Sequence, residues 1–211
     1  MRFDRDLNDE ELVASTIRDI KAAHKLGCPV IRAQYLLSPE NLVKVAPYAE
    51  EYGIKIGIEI HNPETPTTPA MLAYLDAIEK SGSKYIGFVP DLGAFADKPN
   101  VESYQGALEK GADPIVMSSF FNMYGFLTFR KNPDFEGLKR IMPYVFHIHG
   151  KFHCMTEQGN ELSIPYEKLL PILDEAGYDG YIVSEYEGHG TKTAAQAVAE
   201  HIAMERRILG I

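Results

Sequence analysis

Short apolar segments alternate with amphipathic helical segments along this chain, and that alternation restricts the fold more than any other feature. Apolar residues predict five strands, at 28–34, 54–60, 85–90, 144–149 and 180–185. A helical pattern precedes the first strand, and another follows each strand. Short strands that alternate with helices form a parallel sheet covered by helices. We therefore predict an α/β fold built on a parallel sheet.

Local signals place the ends of several elements. Asn8 and Glu11 form a capping box at the start of the first helix, and Ser38 precedes a proline suited to the first turn of the second. Ser163 is predicted to cap the helix that follows it, and a small hairpin is expected around 158–160. The segment 117–129 is rich in Phe, Tyr and Met, and it can form a buried helix, a lid or a surface for a partner.

Composition excludes several classes of protein. The 211 residues show no linker, so we expect one domain over 1–211. The net charge of −9 argues against a nucleic-acid partner, since phosphate contacts require clustered basic residues. Cys28 and Cys154 are too few for a disulfide framework, which favours a reducing cytoplasm. No apolar run reaches the roughly 18 residues of a membrane span, so no membrane partner is expected.

Ligand-type side chains stand at the ends of four predicted strands: Glu59, Asp91, His149 and Glu185. In parallel sheets the carboxyl ends of the strands lie at one edge, where functional residues collect. This arrangement draws on four separate strands, so it is harder to obtain by chance than a single local motif. We therefore expect these four side chains to lie close together in one site.

The stretch 145–153 places His147, His149 and Lys151 at a spacing of two, so all three share one face of a strand. An edge strand with solvated histidines would show the same local pattern. Burying these groups requires partners, and the carboxylates at other strand ends can supply them. A metal or substrate site is therefore the sharper interpretation.

Three carboxylates and one imidazole suit a divalent ion of borderline hardness. We expect Mn²⁺, with Co²⁺, Mg²⁺ or Zn²⁺ as alternatives, and the ion would stabilise an enediolate next to a substrate carbonyl. Glu59, Glu185 or His61 could act as the catalytic base. The candidates for substrate contacts are Lys151, His147 and His189, although each histidine alone is more typical of a packing or surface position.

With these residues assembled, the chain resembles the xylose-isomerase-like TIM-barrel superfamily of sugar isomerases and epimerases. The motifs that carry the resemblance are Gly-Ile-Glu-Ile-His at 57–61, Val-Pro-Asp-Leu-Gly at 89–93, His-Ile-His-Gly-Lys at 147–151 and Ser-Glu-Tyr-Glu-Gly-His at 184–189. The resemblance implies a TIM barrel and assigns the metal to Glu59, Asp91, His149 and Glu185. It favours His149 over His147 because the family pattern is His-x-Lys. Phe152 departs from that pattern, which often has Asp after the lysine.

Within the superfamily, the chain is similar to catalytic subunits of bacterial C-glycoside deglycosidases. That resemblance implies a metal-dependent lyase that cleaves the C–C bond of a 3-oxo-C-glycoside, with His61 as acid and base. It also implies a complex with a smaller β-rich subunit. The main expectation is a keto-sugar isomerase or epimerase, with the lyase as the alternative and a non-catalytic metal-binding assembly subunit as the second alternative.

Members of this superfamily carry eight strands, whereas five are predicted here. The five match strands four to eight, so the first three units are expected to be missing and the barrel to be incomplete. Uncovered parallel edges invite association. We therefore expect a homo-oligomer or a complex with a second subunit.

Overall fold

The computed structural model describes residues 7–33, 37–123, 129–188 and 192–211. The elements follow one another as α1 (Asp9–Leu26), β1 (Val30–Ala33), α2 (Pro39–Tyr52), β2 (Lys55–Ile60), α3 (Pro69–Ser81), β3 (Ile86–Pro90), α4 (Val101–Glu109), α5 (Pro114–Met123), α6 (Phe135–Ile141), β4 (Ile148–Phe152), α7 (Tyr166–Glu175), β5 (Ile182–Tyr186) and α8 (Ala194–Leu209). The predicted alternation of strands and helices is confirmed. Three helices, α4 to α6, separate β3 from β4.

The strands are parallel and lie side by side in chain order. β2 pairs with β1 and β3, and β4 pairs with β5. Single bridges from Phe88 to Val145 and from Asp91 to His149 join β3 to the chain around β4. Gly87 makes this approach possible, because a Cβ there would lie 2.1 Å from the carbonyl oxygen of Tyr144. The carboxyl ends of β2 to β5 therefore meet at one edge.

The strand that carries His149 begins later than the sequence suggests. The predicted bounds of 144–149 were wrong, because β4 spans Ile148–Phe152. Met142–Tyr144 instead forms a 3-10 turn that contains a proline. Val145 packs as an apolar residue but makes only a single bridge among the described residues. Lys151 therefore belongs to the strand itself, and His147 precedes it.

Two of the predicted caps are confirmed. Asn8 and Glu11 exchange both hydrogen bonds of a capping box, and Ser38 accepts from the backbone N–H of Asn41. The prediction for Ser163 was wrong: α7 begins two residues after Ile164, and its N-cap is Pro165. The hydroxyl of Ser163 instead donates a hydrogen bond to a nearby carboxylate.

That carboxylate belongs to Glu161 and shapes the loop after β4. Glu161 is 7% exposed and accepts hydrogen bonds from the backbone N–H groups of His153 (3.2 Å), Ser163 (2.6 Å) and Ile164. An antiparallel bridge between Met155 and Glu161 confirms the small hairpin. The loop is therefore fixed by one buried side chain at the edge where the strands end.

Helix α8 buries polar groups against β4 and β5. His201 is fully buried, stacks on the ring of Phe152 at 4.1 Å, and shares a 3.0 Å hydrogen bond with the hydroxyl of Ser184. Its Nδ1 lies 3.7 Å from Oε1 of Glu205. Both side chains pack near Gly150, which alternates with His149 and Lys151 along the strand. This cluster thus lies on the face of β4 opposite to those two residues.

No helix in the described parts of the chain combines the length and apolar character that a bilayer crossing demands. The segment 117–129 lies partly on α5, while residues 124–128 fall outside the described residues, so its three interpretations stay open. In the described ranges, β1 pairs only with β2 and β5 only with β4. The single domain over 1–211 and the cytoplasmic location stay predictions.

Candidate active site

Three of the predicted metal ligands converge at the carboxyl edge of the sheet. Glu59 lies in β2, Asp91 directly follows β3, and His149 lies in β4. One ligand atom from each lies within 4.8 Å of the others. Glu59 and Asp91 are buried, whereas His149 is partly exposed. The sheet thus brings three side chains that are far apart in sequence to a single point.

Glu59 is held between two cationic or polar partners. Its Oε2 accepts a 2.5 Å hydrogen bond from Nη1 of Arg32, and its Oε1 lies 2.9 Å from Nδ1 of His149. Burial alone would raise the pKa of Glu59, but His149 and the Arg32 charge outweigh it and hold the pKa below its usual value. Glu59 is therefore kept as a carboxylate, the form that binds a cation.

Asp91 divides its two oxygens between structure and site. Oδ1 accepts a 2.7 Å hydrogen bond from the backbone N–H of Gly93 and so caps the 3-10 turn Leu92–Phe95. Oδ2 points to the site, 3.2 Å from Nζ of Lys151. Burial raises the pKa of Asp91, and the charge of Lys151 opposes that rise. Asp91 can therefore cap the turn through one oxygen and bind a cation through the other.

Glu185, the fourth predicted ligand, extends from β5 and contacts His149 and Lys151, but it does not belong to the three-residue cluster. Its Oε2 lies 3.5 Å from Nδ1 of His149 and 3.3 Å from Nζ of Lys151. Its side chain is 38% exposed, more than the other carboxylates of the site. The Glu59 carboxylate raises the pKa of His149, burial opposes this, and Glu185 adds to the rise.

Lys151 is a buried ammonium at the centre of the site. Its side chain is 4% exposed, and Nζ lies 2.9 Å from Oε1 of Glu187 in addition to Asp91 and Glu185. Burial alone would lower the pKa of Lys151, but Asp91, Glu187 and Glu185 outweigh it and raise the pKa. Lys151 therefore stays protonated and can only donate hydrogen bonds.

His61 stands at the rim, next to Asp91. Its side chain is 35% exposed, and Nε2 lies 3.6 Å from Oδ2 of Asp91. Nδ1 lies 3.0 Å from the carbonyl oxygen of Asn62, which can only accept a hydrogen bond. Nδ1 of the neutral ring therefore carries the hydrogen, and Nε2 is the nitrogen that can accept a proton on the side of Asp91.

The other two predicted histidines have different positions. His147 packs edge-on against His149 at 5.8 Å and lines a cavity of about 470 Å³ that also contacts Arg32, Val89 and Tyr181. Burial and the neighbouring His149 lower the pKa of His147, so it is a neutral ring. His147 thus lies next to the predicted metal ligands, on the side where the strands begin. His189 lies outside the described residues.

Several atoms in the site fit a bound cation. Oδ2 of Asp91, Nδ1 of His149 and Oε2 of Glu185 are buried yet accept or donate no hydrogen bond of good geometry. Polar atoms that lie close together without forming well-aligned hydrogen bonds are expected where their lone pairs point to a common ion. Glu59, Asp91, Glu185 and Glu187 contribute four negative charges, and Arg32 and Lys151 two positive ones, which leaves −2. One divalent ion would neutralise the site.

Two charged residues that contact the site were missed by sequence reasoning. Arg32 is a charged residue inside a predicted apolar strand, which is a signal that it has a buried anionic partner. Glu187 follows Glu185 at a spacing of two and therefore shares its face. Both pairings depend on contacts across strands, which spacing within one strand cannot reveal.

Comparison with known proteins places this site in a family. Residues 3–208 match the family model described as a xylose isomerase-like TIM barrel. The chain belongs to that family. It is 31% identical to the 3'-dehydrocarminate deglycosidase alpha subunit of a Microbacterium species, over 98% of this chain and 72% of that protein. It is 32% identical to the C-glycoside deglycosidase alpha subunit of Microbacterium trichothecenolyticum, over 88% of this chain but only 61% of that protein.

The fold is also similar to solved structures in this family. The D-psicose 3-epimerase from Clostridium cellulolyticum H10, solved with D-tagatose, superposes with a TM-score of 0.60 over 95% of this chain and 71% of its own, at 14% identity. The motif-based assignments to the xylose isomerase-like family and to the C-glycoside deglycosidase branch are confirmed. The relatives are named as deglycosidase subunits, which agrees with the expectation of an enzyme.

Proposed function

We propose that this chain is the metal-dependent catalytic subunit of a C-glycoside deglycosidase, which cleaves the C–C bond between a keto sugar and its aglycone. The convergence of Glu59, Asp91 and His149 within 4.8 Å carries the proposal. The names of the relatives at 31% and 32% identity support the lyase over the isomerase that the motifs alone favoured. The activity of the whole protein is part of this proposal, since one relative is matched over only 61% of its length.

The proposed ligands of the ion are Glu59, Asp91, His149 and Glu185, and Mn²⁺ is the expected ion. Carboxylate and imidazole donors suit Mn²⁺, and Co²⁺ and Zn²⁺ are the alternatives with the same donors. When bound, the ion would supply Lewis-acid stabilisation of negative charge on the substrate's carbonyl oxygen.

The side chains around the ligands would handle the proton and the substrate. Nε2 of His61 would take the proton from the carbon next to the carbonyl. It would return the proton to the aglycone carbon as the C–C bond breaks and a C=C bond forms in the sugar. Asp91, 3.6 Å away, would stabilise the imidazolium between these steps. The ammonium of Lys151 would donate a hydrogen bond to a sugar oxygen, and His147 and His189 are further candidates for sugar contacts.

A keto-sugar epimerase is the second candidate, because the same base and the same ligands would serve it and the fold resembles an epimerase. A non-catalytic metal-binding subunit is the third. The purified, Mn²⁺-loaded protein should be incubated in deuterated water with a ketose and, separately, with a 3-oxo-C-glycoside. Exchange with release of the aglycone supports the lyase, and exchange without release supports the epimerase. If the protein, assembled with its partner subunit, shows neither exchange nor turnover, the non-catalytic metal-binding role is supported.

We further propose that the five described strands are strands four to eight of the barrel and that the protein works as an assembly. Val183, in β5, and Tyr181, directly before it, are 47% and 77% exposed. The relatives are named alpha subunits, which favours a second subunit, although a homo-oligomer would also cover the edges. Light scattering should give a mass well above the 23.6 kDa of one chain. A stable monomer of that mass would contradict the proposal.

A further inference from the structure

Lys151 has a carboxylate partner that is not among the proposed metal ligands. Among the described residues, Nζ of Lys151 lies 2.9 Å from Glu187, 3.2 Å from Asp91 and 3.3 Å from Glu185. Asp91 and Glu185 are proposed to hold the ion, whereas Glu187 is assigned to nothing so far. The shortest of the three contacts is therefore the one that a bound ion would leave intact.

A divalent ion changes the balance of charge around this ammonium. Carboxylates that hold the ion offer less negative charge to Lys151, and the ion repels the ammonium directly. A buried ammonium that has lost its partners is strongly destabilised, and the side chain of Lys151 is only 4% exposed. Glu187 is the partner that can keep the ammonium in place once the ion is bound.

The backbone places Glu187 for this role. Lys151 is paired with Glu185 across the β4–β5 ladder, and Glu187 lies two residues further on the same face. The N–H of Glu187 donates a 3.1 Å hydrogen bond to the carbonyl oxygen of Phe152, which continues the ladder past the end of β5. Gly188 then lets the chain pass close to β4, because a Cβ there would lie 1.9 Å from the carbonyl oxygen of His153.

We propose that Glu187 is a positioning residue, which holds the Lys151 ammonium beside the metal ion so that it can donate a hydrogen bond to an oxygen of the keto sugar. This inference rests on the proposed function, because it needs a metal at the four ligands. Glu187 acts in two ways: it keeps Lys151 from competing with the ion for Asp91 and Glu185, and it supplies the fourth negative charge of the site.

The test is calorimetric titration of Mn²⁺ into the metal-free protein. Glu187→Gln should weaken Mn²⁺ binding by roughly 10- to 100-fold, the range typical of residues that orient a metal site from outside it. Glu200→Gln is the matched control, since Glu200 pairs with Lys192 and is 39% exposed, against 35% for Glu187. The control should bind Mn²⁺ like the wild type.

A second variant separates positioning from a general structural effect. In a Lys151→Gln background no ammonium competes for Asp91 and Glu185, so the added Glu187→Gln change should weaken Mn²⁺ binding much less than it does in the wild type. If wild type and Glu187→Gln bind Mn²⁺ equally, the inference is wrong while the proposed function stands. If the wild type binds no Mn²⁺, the proposed function is wrong and the inference fails with it.

Discussion

Arg32 and Glu59 join β1 to the metal-ligand cluster through a 2.5 Å hydrogen bond from Nη1 to Oε2. Arg32 is paired with Gly57 in the ladder, and Glu59 lies two residues further on the same face. The guanidinium therefore balances the charge of a buried carboxylate in the absence of a metal ion, and an ion bound to Glu59 would compete with it for that carboxylate.

Replacing Arg32 by Gln should affect the metal-free protein more than the metal-bound one. Loss of the charged partner leaves Glu59 buried and less compensated, which should lower the free energy of unfolding by about 1–3 kcal/mol in the presence of a chelator. A saturating concentration of Mn²⁺ should reduce that difference. Denaturant unfolding with chelator and with Mn²⁺ measures both values.

Arg207→Gln is the control for this experiment. Arg207 is an exposed arginine that donates to Gly159 and to Asn160, away from the cluster. Its replacement should cost little stability, and the cost should be the same with and without Mn²⁺. An Arg32 variant whose loss of stability ignores Mn²⁺ would argue against competition for Glu59.

Asp91→Asn and His149→Ala should each abolish stable metal binding, because both remove a ligand from the point where three side chains converge. Metal analysis after dialysis should show near-stoichiometric Mn²⁺ in the wild type and almost none in the variants. Asp134→Asn is the control, since Asp134 also caps a helix through a glycine N–H. Retention of wild-type metal by both site variants would place the ion elsewhere.

His61→Asn should separate chemistry from metal binding. The variant lacks the proton acceptor at the rim but keeps all four proposed ligands, so kcat should fall by roughly 100- to 10,000-fold while metal content stays at the wild-type level. Steady-state kinetics on a 3-oxo-C-glycoside, together with metal analysis, gives both quantities. A variant with wild-type kcat would assign the proton transfer to another group, with Glu185 or Glu59 as the next candidates.

The pair under α8 predicts two opposing pH dependences of stability. Burial lowers the pKa of His201 to about 4, so stability falls as pH drops below 6.5, because the unfolded chain binds a proton that the folded chain refuses. Burial raises the pKa of Glu205 to about 7, so stability falls as pH rises from 4.5 to 7. Between pH 4.5 and 6.5 the two effects should largely cancel in the wild type.

Single variants should reveal each effect. Glu205→Gln should lose roughly 2–3 kcal/mol of stability between pH 6.5 and 4, and His201→Gln should gain a similar amount between pH 7 and 4.5. Tyr166, the other titratable group that contacts His201, has a pKa raised by burial and does not titrate in this range. Denaturant unfolding across these pH values tests both signs, and equal slopes in the two variants would refute the assignment.

The site at the strand ends was predictable from sequence because Glu59, Asp91 and Glu185 stand at or near the ends of apolar segments. Parallel order then places such residues together without any knowledge of side-chain contacts. The start of β4 was not predictable in the same way. Val145 and Phe146 look like strand residues, but a 3-10 turn with a proline precedes them and the ladder starts only at Ile148.

The partners of the site residues depend on geometry across strands. Arg32 reaches Glu59 from another strand, and Glu187 reaches Lys151 from beyond the last pair of the ladder. The same applies to Ser163. Its hydroxyl, predicted to cap a helix, donates a hydrogen bond to the buried carboxylate of Glu161. Sequence spacing identifies which face a side chain occupies, but the choice among several partners on that face follows only from packing.

The carboxylate of Glu161 has a consequence for ligand selection. Since backbone N–H groups on both sides of the hairpin converge on one buried side chain, the loop loses its conformational entropy during folding and not when a ligand arrives. A rigid rim excludes a ligand of the wrong shape by steric clash, whereas a mobile rim would adapt to it. Replacements of side chains along this hairpin should therefore change ligand preference while its backbone path is retained.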